Sequence, residues 1–226
     1  MRYFTVLIIS ILSITSSYSQ NHELGVFVGG SNLIGDVGAT NYISPNSPTL
    51  GLIYKWNASP RHSWRASLIY SDLKAKDFKS DDPRRQQRDY NFDSNLLEIS
   101  AGIEFTFFDF DLYDERTTGT PYLYSGISMA KHDNFYFFNG VQTPENNSSW
   151  AIGIPMALGF KTNIIDNFII GIEVGARYTF SDAIDGSNPK EAINQQYRFG
   201  NINNNDWYVF SGVTLTYTFG IKPCYY

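Results

Sequence analysis

The chain of 226 residues has a single cysteine, Cys224, so no disulfide can form within it. Its three histidines, His22, His62 and His132, are scattered and lack the spacing of a metal centre. Past the N-terminal segment there is no run of about 20 apolar residues, which excludes a helical membrane protein. Basic residues are outnumbered, 17 against 22 acidic, for a net charge of −5. No basic stripe exists to neutralise phosphates, so no nucleic-acid partner is expected. The glycines at Gly29, Gly30 and Gly35 open no helix, which excludes a phosphate loop. The acidic pieces Ser80–Pro83 and Asp109–Glu115 lack the glycine and closing glutamate of a calcium loop. No metal and no cofactor is expected.

Aromatic residues, by contrast, make up 16% of the chain, and the mean hydropathy is −0.26. The N-terminus has a basic start at Arg2, an apolar run from Val6 to Ile14, and small residues around Ser17-Tyr18-Ser19. This is the layout of a cleaved secretory signal over residues 1–19, with the mature chain, 20–226, beginning at Gln20. The apolar run is too short to span a bilayer as a helix.

The rest alternates apolar with small or polar residues at period two. The clearest copies are Trp150–Phe160, Phe168–Phe180 and Trp207–Phe219. Strands are expected at about 22–31, 48–58, 62–73, 95–108, 120–132, 149–163, 167–181 and 206–220. In each, one face is apolar while the other carries Gly, Ala, Thr and charged residues. That pattern predicts an all-β fold, an eight-stranded antiparallel transmembrane β-barrel in the outer membrane, surrounded by its lipids. Ser59–Arg61, Ile165–Asn167 and 109–119 read as periplasmic turns, with both termini on that side and a short tail after the last strand. The segments 32–47, 74–94, 133–148 and 182–205 read as long outer loops. Trp56 and Trp64 then fall at the periplasmic rim and Trp150 and Trp207 at the outer rim, as an aromatic girdle requires. Phe107, Phe108 and Phe219 join the lower belt, and Tyr70, Tyr178 and Phe180 the upper one. The fifth strand admits two registers, since Tyr122 and Tyr124 compete with Leu123, Ile127 and Met129 for the lipid face.

In this register Glu23, Lys55, Arg65, Glu98, Glu104, Lys161, Glu173 and Arg177 point into the lumen, four acids with four bases. Eight strands enclose only enough room for side chains, and buried charges must pair. A plugged polar interior is expected, with a gated ion path as the alternative. Catalysis would need a histidine within hydrogen-bond reach of a nucleophile. Only His132 falls near the outer rim; Ser128, four residues back, stands about 13 Å away along a strand, and Asp133 is adjacent. No catalytic residue is therefore assigned, and an enzyme is not expected.

Several stretches share the character of one family. They are Glu23–Asp36, Gly51–Asn57 with Ser63–Ala66, Arg84-Arg85 leading to Phe92, Leu97-Glu98 through Phe110, Thr120–Tyr122, and the closing Thr218–Gly220 with Lys222–Cys224. In order and spacing the chain resembles the PorG-type outer-membrane barrel of the type IX secretion system of Bacteroidetes. The resemblance implies a non-enzymatic part of a protein secretion apparatus, tied to gliding motility in many members. It implies as partners a periplasmic ring lipoprotein and its partner protein. Candidate contacts are Asp109, Asp111, Asp114 and Glu115 in the periplasmic turn, and Lys222, Tyr225 and Tyr226 in the tail. A solvated turn and frayed tail are the plainer reading of the same residues. Arg84, Arg85 and Arg88 could grip lipopolysaccharide phosphates or another subunit, or be solvated. The alternatives for function are a general OmpA-like or OmpW-like barrel for envelope integrity or small-solute traffic, and a lipid A-modifying hydrolase.

Overall fold

The computed structural model describes residues 21–112, 117–165, 167–201 and 204–220. Eight strands form one closed antiparallel ring: β1 (Asn21–Ile34), β2 (Ser47–Ser59), β3 (His62–Lys76), β4 (Asn91–Thr106), β5 (Gly119–Phe138), β6 (Val141–Ile165), β7 (Phe168–Thr179) and β8 (Trp207–Phe219). Each strand pairs with its sequence neighbours, and β1 closes on β8 with His22 opposite Phe219. The expected signal segment and the tail from residue 221 lie outside the described residues.

The ring is inside-out relative to a soluble barrel. On β3 the outward residues include Trp64, Leu68 and Tyr70, while Arg65, Ser67 and Ser71 are buried inside. On β6 Ile152, Ile154, Met156, Leu158 and Phe160 face out, with Ala151, Ala157 and Lys161 inside. Such an apolar exterior needs lipid rather than water around it. It makes the molecule an outer-membrane-type barrel. The fifth strand takes one register: Tyr122 and Tyr124 are buried, and Leu123, Ile127 and Met129 point out. Trp56 and Trp64 pair across β2 and β3 at the end with short turns. Trp150 stands opposite Lys131, and Trp207 opposite Ile34, at the end with long connections.

Two pairs of inward glycines sharpen the wall. Gly29 faces Gly212 across β1 and β8, and Gly102 faces Gly126 across β4 and β5. A Cβ on Gly29 would lie 2.2 Å from the Ser211 carbonyl oxygen, and one on Gly102 2.1 Å from that of Ser125. Only glycine permits this approach. The two seams stand four strands apart, on opposite sides of the ring.

The structure corrects the long-loop end. Residues 133–148, expected as a loop, continue β5 and β6 as a hairpin that turns at Asn139 and Gly140, with φ of 50° and 83°. Asn-Gly suits two positive φ values in a tight hairpin turn, and the alternation of Phe135 and Phe137 continues the strand period. The 74–94 segment likewise shrinks to a single 3-10 turn at Asp77–Lys79 and a short helix α1 (Pro83–Arg88). Asp82 caps α1 by accepting from the Arg84 N–H. A second 3-10 segment, Ala192–Tyr197, lies in the β7–β8 connection.

Together these pieces fold over the mouth as a cap. Phe135 packs on Phe92 with ring centres 5.0 Å apart, Phe137 stacks on Tyr90 at 4.3 Å, and Phe199 meets both Tyr90 and Phe137. Leu33, Val37, Leu73, Leu96 and Ile184 complete an apolar layer between cap and lumen.

Candidate functional site

The lumen is the most highly organised polar region. Glu23, Lys55, Arg65, Glu98, Glu104, Lys161, Glu173 and Arg177 are each at most 3% exposed. They divide into two tiers. Toward the short-turn end, Lys55 and Lys161 both bond Glu104, at 2.8 Å each. Arg65 forks onto Glu173 at 2.5 and 3.1 Å and reaches Glu104 at 3.6 Å. Glu23 lies 3.9 Å from Lys55 and accepts from Asn57 and Thr216 at 2.9 Å each. Toward the long-loop end, Arg177 bonds Glu98 at 3.3 Å and the Gly175 carbonyl at 2.7 Å. Three acids meet three bases in the first tier, and one meets one in the second, so each tier is neutral by itself.

Sequence reasoning missed the aromatic partners of this network. The Tyr122 hydroxyl donates to Glu173 at 2.7 Å, and that of Tyr208 to Glu98 at 2.7 Å. The Arg65 guanidinium stands 4.5 Å from the Tyr124 ring centre, and that of Arg177 4.5 Å from Phe210. The only sequence signal was the inward parity of these rings, which the ambiguity of the fifth strand masked for Tyr122 and Tyr124. The rings of Tyr124 and Phe210 give the guanidinium groups a quadrupole face where a strand leaves no room for another ion.

Both ends of the lumen are shut. At the short-turn end Phe110 is buried, its N–H on the Pro60 carbonyl and its ring 5.0 Å from the Lys161 ammonium. Asp109 points outward and pairs with the exposed Arg61. Asp111 lies exposed in the same segment. Asp114, Glu115, Lys222, Tyr225 and Tyr226 lie outside the described residues, so no surface formed by the seven candidate contacts together is described. His22 stacks between Tyr54 and Phe219, and His62 packs tilted against Phe105, as part of the rim.

At the long-loop end the arginines of α1 are structural. Arg88 bonds the buried Asp77 at 2.8 Å and the Asp36 carbonyl at 2.7 Å, with its guanidinium between the rings of Tyr90 and Phe199. Arg85 donates to the carbonyls of Gly35 and Gly38. Both are therefore committed inside the cap, and of the three only Arg84 is left exposed. Three aspartates are buried nearby. Asp185 accepts from the N–H groups of Asp36 and Ser187, and Asp206 from that of Ile184. Burial pushes both carboxyls above the ordinary aspartate value. Burial, then the charges of Asp185 and Asp36, raise Asp182 to about 6.

His132 is buried beneath this cap rather than placed at an open rim. Neither of its ring nitrogens, nor Ser128 Oγ, has a hydrogen-bond partner among the described residues. Ser128 and His132 therefore form no nucleophile–base pair. No three His, Cys, Asp or Glu side chains among the described residues stand together as a metal group.

The model of one family, described as a domain of unknown function (DUF6089), matches residues 1–226. The chain belongs to that family. A comparison with curated proteins finds no match. Among solved structures, this family member is similar to Ail, the attachment invasion locus protein of Yersinia pestis, solved with the heparin analogue sucrose octasulfate. Identity is 13% over 89% of this chain and 100% of that one, with a TM-score of 0.48. It is also similar to Neisserial surface protein A, at 12% identity over 88% and 95% of the two chains and a TM-score of 0.43. A third is the outer membrane protein OprG of Pseudomonas aeruginosa, at 11% identity, 88% and 96% coverage and a TM-score of 0.42.

Proposed function

We propose that this chain is a non-enzymatic outer-membrane component of a protein secretion apparatus of the type IX kind. It couples a periplasmic ring, built from a lipoprotein and its partner protein, to the outer membrane. The single observation that supports a coupling role over a conduit is the lumen: its eight charged side chains are paired and buried, with Phe110 below and the aromatic cap above. A barrel so filled passes no polypeptide, which leaves its rims as the surfaces available for work. In this reading the short-turn end and both termini are periplasmic, with Asp109 and Asp111 on the rim that meets the ring. The identity of the machine rests on the resemblance in sequence.

The test is a mild-detergent pull-down of the tagged chain, with secretion measured after deletion. Co-purification of the ring proteins and loss of secretion are expected. Recovery of the barrel alone, with normal secretion in its absence, sinks the proposal. The second reading, a general envelope barrel for integrity or small-solute traffic, draws on the same closed fold. Its solute-traffic form requires single-channel conductance in planar bilayers, where the plugged lumen is expected to give none.

A further inference from the structure

A second polar concavity, of about 320 Å³, opens at the long-loop end between the β1–β2 connection and the top of β3. Its wall is prebuilt. The Asn32 side chain is buried, donates to the Asn41 carbonyl at 3.0 Å and accepts from the Ser44 N–H at 3.2 Å. Asn46 donates to the Lys74 carbonyl at 2.9 Å, which ties the connection to β3. Lys74, Lys76 and Lys79 line it as well, together with Asn41 and Ser44. Lys74 is engaged by Asp93 at 2.8 Å. Lys76 and Lys79 make no ion pair among the described residues. Two acids near them in the chain are committed elsewhere: Asp77 holds Arg88 and two backbone N–H groups, and Asp82 caps α1. Asp81 is exposed to solvent.

A fixed pocket with two uncommitted ammonium groups, an amide and a hydroxyl has the donor set for a phosphate, and lysine recognises phosphate as a point charge. The surroundings identify what carries that phosphate. Tyr42 and Phe78, beside the lining residues in the chain, are 80% and 75% exposed. Such an apolar fringe around basic residues is the composition of a membrane-interface contact. Position agrees. Lys74 stands four residues past Tyr70, the last outward aromatic residue of β3, toward the long-loop end.

We propose that this pocket binds a phosphate group carried by a lipid headgroup of the outer leaflet. The proposal does not depend on the secretion reading; it requires only that the long-loop end face that leaflet. It also moves the anion site from the α1 arginines, which the cap consumes, to the lysines of the β3–α1 segment.

The experiment is native mass spectrometry of the full-length barrel with three probes: diphosphorylated lipid A, its dephosphorylated counterpart, and inorganic phosphate. The expected result is retention of the phosphorylated lipid only, weakened at least tenfold by Lys76→Gln with Lys79→Gln and unchanged by Arg84→Gln. Phe78→Ser should weaken the lipid further without restoring any binding of free phosphate. Equal retention of the two lipids overturns the proposal and needs no variant to read. Equal losses in the lysine and Arg84 variants overturn it as unspecific charge attraction. Tight binding of inorganic phosphate without lipid overturns the lipid source.

Discussion

Lumen and cap both bury charged side chains, but they satisfy them by different means. In the lumen, charges answer charges: Glu104 takes Lys55 and Lys161, Glu173 takes Arg65, and Glu98 takes Arg177. In the cap, charges largely answer the backbone. Arg85 and Arg88 donate to the carbonyls of Gly35, Gly38 and Asp36, while Asp185 and Asp206 accept from backbone N–H groups. The reason is the availability of backbone. In a closed ring the ladder uses the N–H and C=O groups of its strands, so an inward side chain finds few partners but other side chains. In a connection the backbone groups lack a ladder, and a buried charge that meets them satisfies two needs at once. A strand lumen therefore has to be charge-balanced, whereas a cap need not be. The cap's buried aspartates are the visible case.

The comparison can be broken most severely at Glu104. Glu104→Ala leaves Lys55 and Lys161 buried without their main partner, and a loss of about 3–5 kcal/mol is expected. Urea unfolding in lipid vesicles, followed by the gel-mobility shift of the folded barrel, reads this directly. A loss below about 1 kcal/mol would mean that the lumen is hydrated enough to carry bare charge. The same logic predicts strong non-additivity in the other tier. Arg177→Met alone should lose about 3–5 kcal/mol, while Glu98→Gln with Arg177→Met should recover most of it, because no unpaired ion remains. A double-mutant cycle on the same unfolding assay decides it; additive losses would contradict a paired lumen.

In the cap, Arg88→Ala removes the Asp77 pair and the Asp36 bond, for an expected local loss of about 2–3 kcal/mol. Limited proteolysis of the 74–94 and 182–201 segments should accelerate while the barrel's own unfolding midpoint stays in place. A matching fall in the barrel midpoint would show the two regions to be one cooperative unit. The smallest effect is with pH. Asp182 is raised from 3.8 to about 6, so the folded cap holds its proton more tightly than the open cap does. That stabilisation is complete below the unfolded value and is lost as pH rises through about 6. Hydrogen exchange in 182–201, corrected for intrinsic rates, should be slower at pH 5 than at pH 7. Faster exchange at pH 5 would reverse the assigned sign.

The same contrast explains what could be read from sequence. Strand parity is a local, periodic property, and it placed all eight lumen charges on the inward face of the ring. Pairing partners were not legible, because Arg65 and Glu173 are 108 residues apart and meet only through ring closure. The hairpin at 139–140 is legible in its Asn-Gly turn, but the polar residues around it point to a loop. The roles of Arg85 and Arg88 could not be read at all. Arg85 is held by main-chain carbonyls, which carry no residue signature, and Arg88 by the Asp36 carbonyl and by Asp77, one of several acids in the same segment.

The lumen network has a consequence for how the barrel is put together. Its ion pairs draw on β2, β3, β4, β6 and β7, and Glu23 on β1 is closed by Thr216 on β8, 193 residues away. A slip of one residue in any of these strands turns its charged side chain from the lumen to the hydrocarbon. The partners left inside then lose their counter-ion as well. Wrong registers are thus penalised twice, once by lipid and once by the stranded partner. The eight buried charges therefore select one register of the ring over its one-residue slips, whatever they add to the stability of the finished barrel.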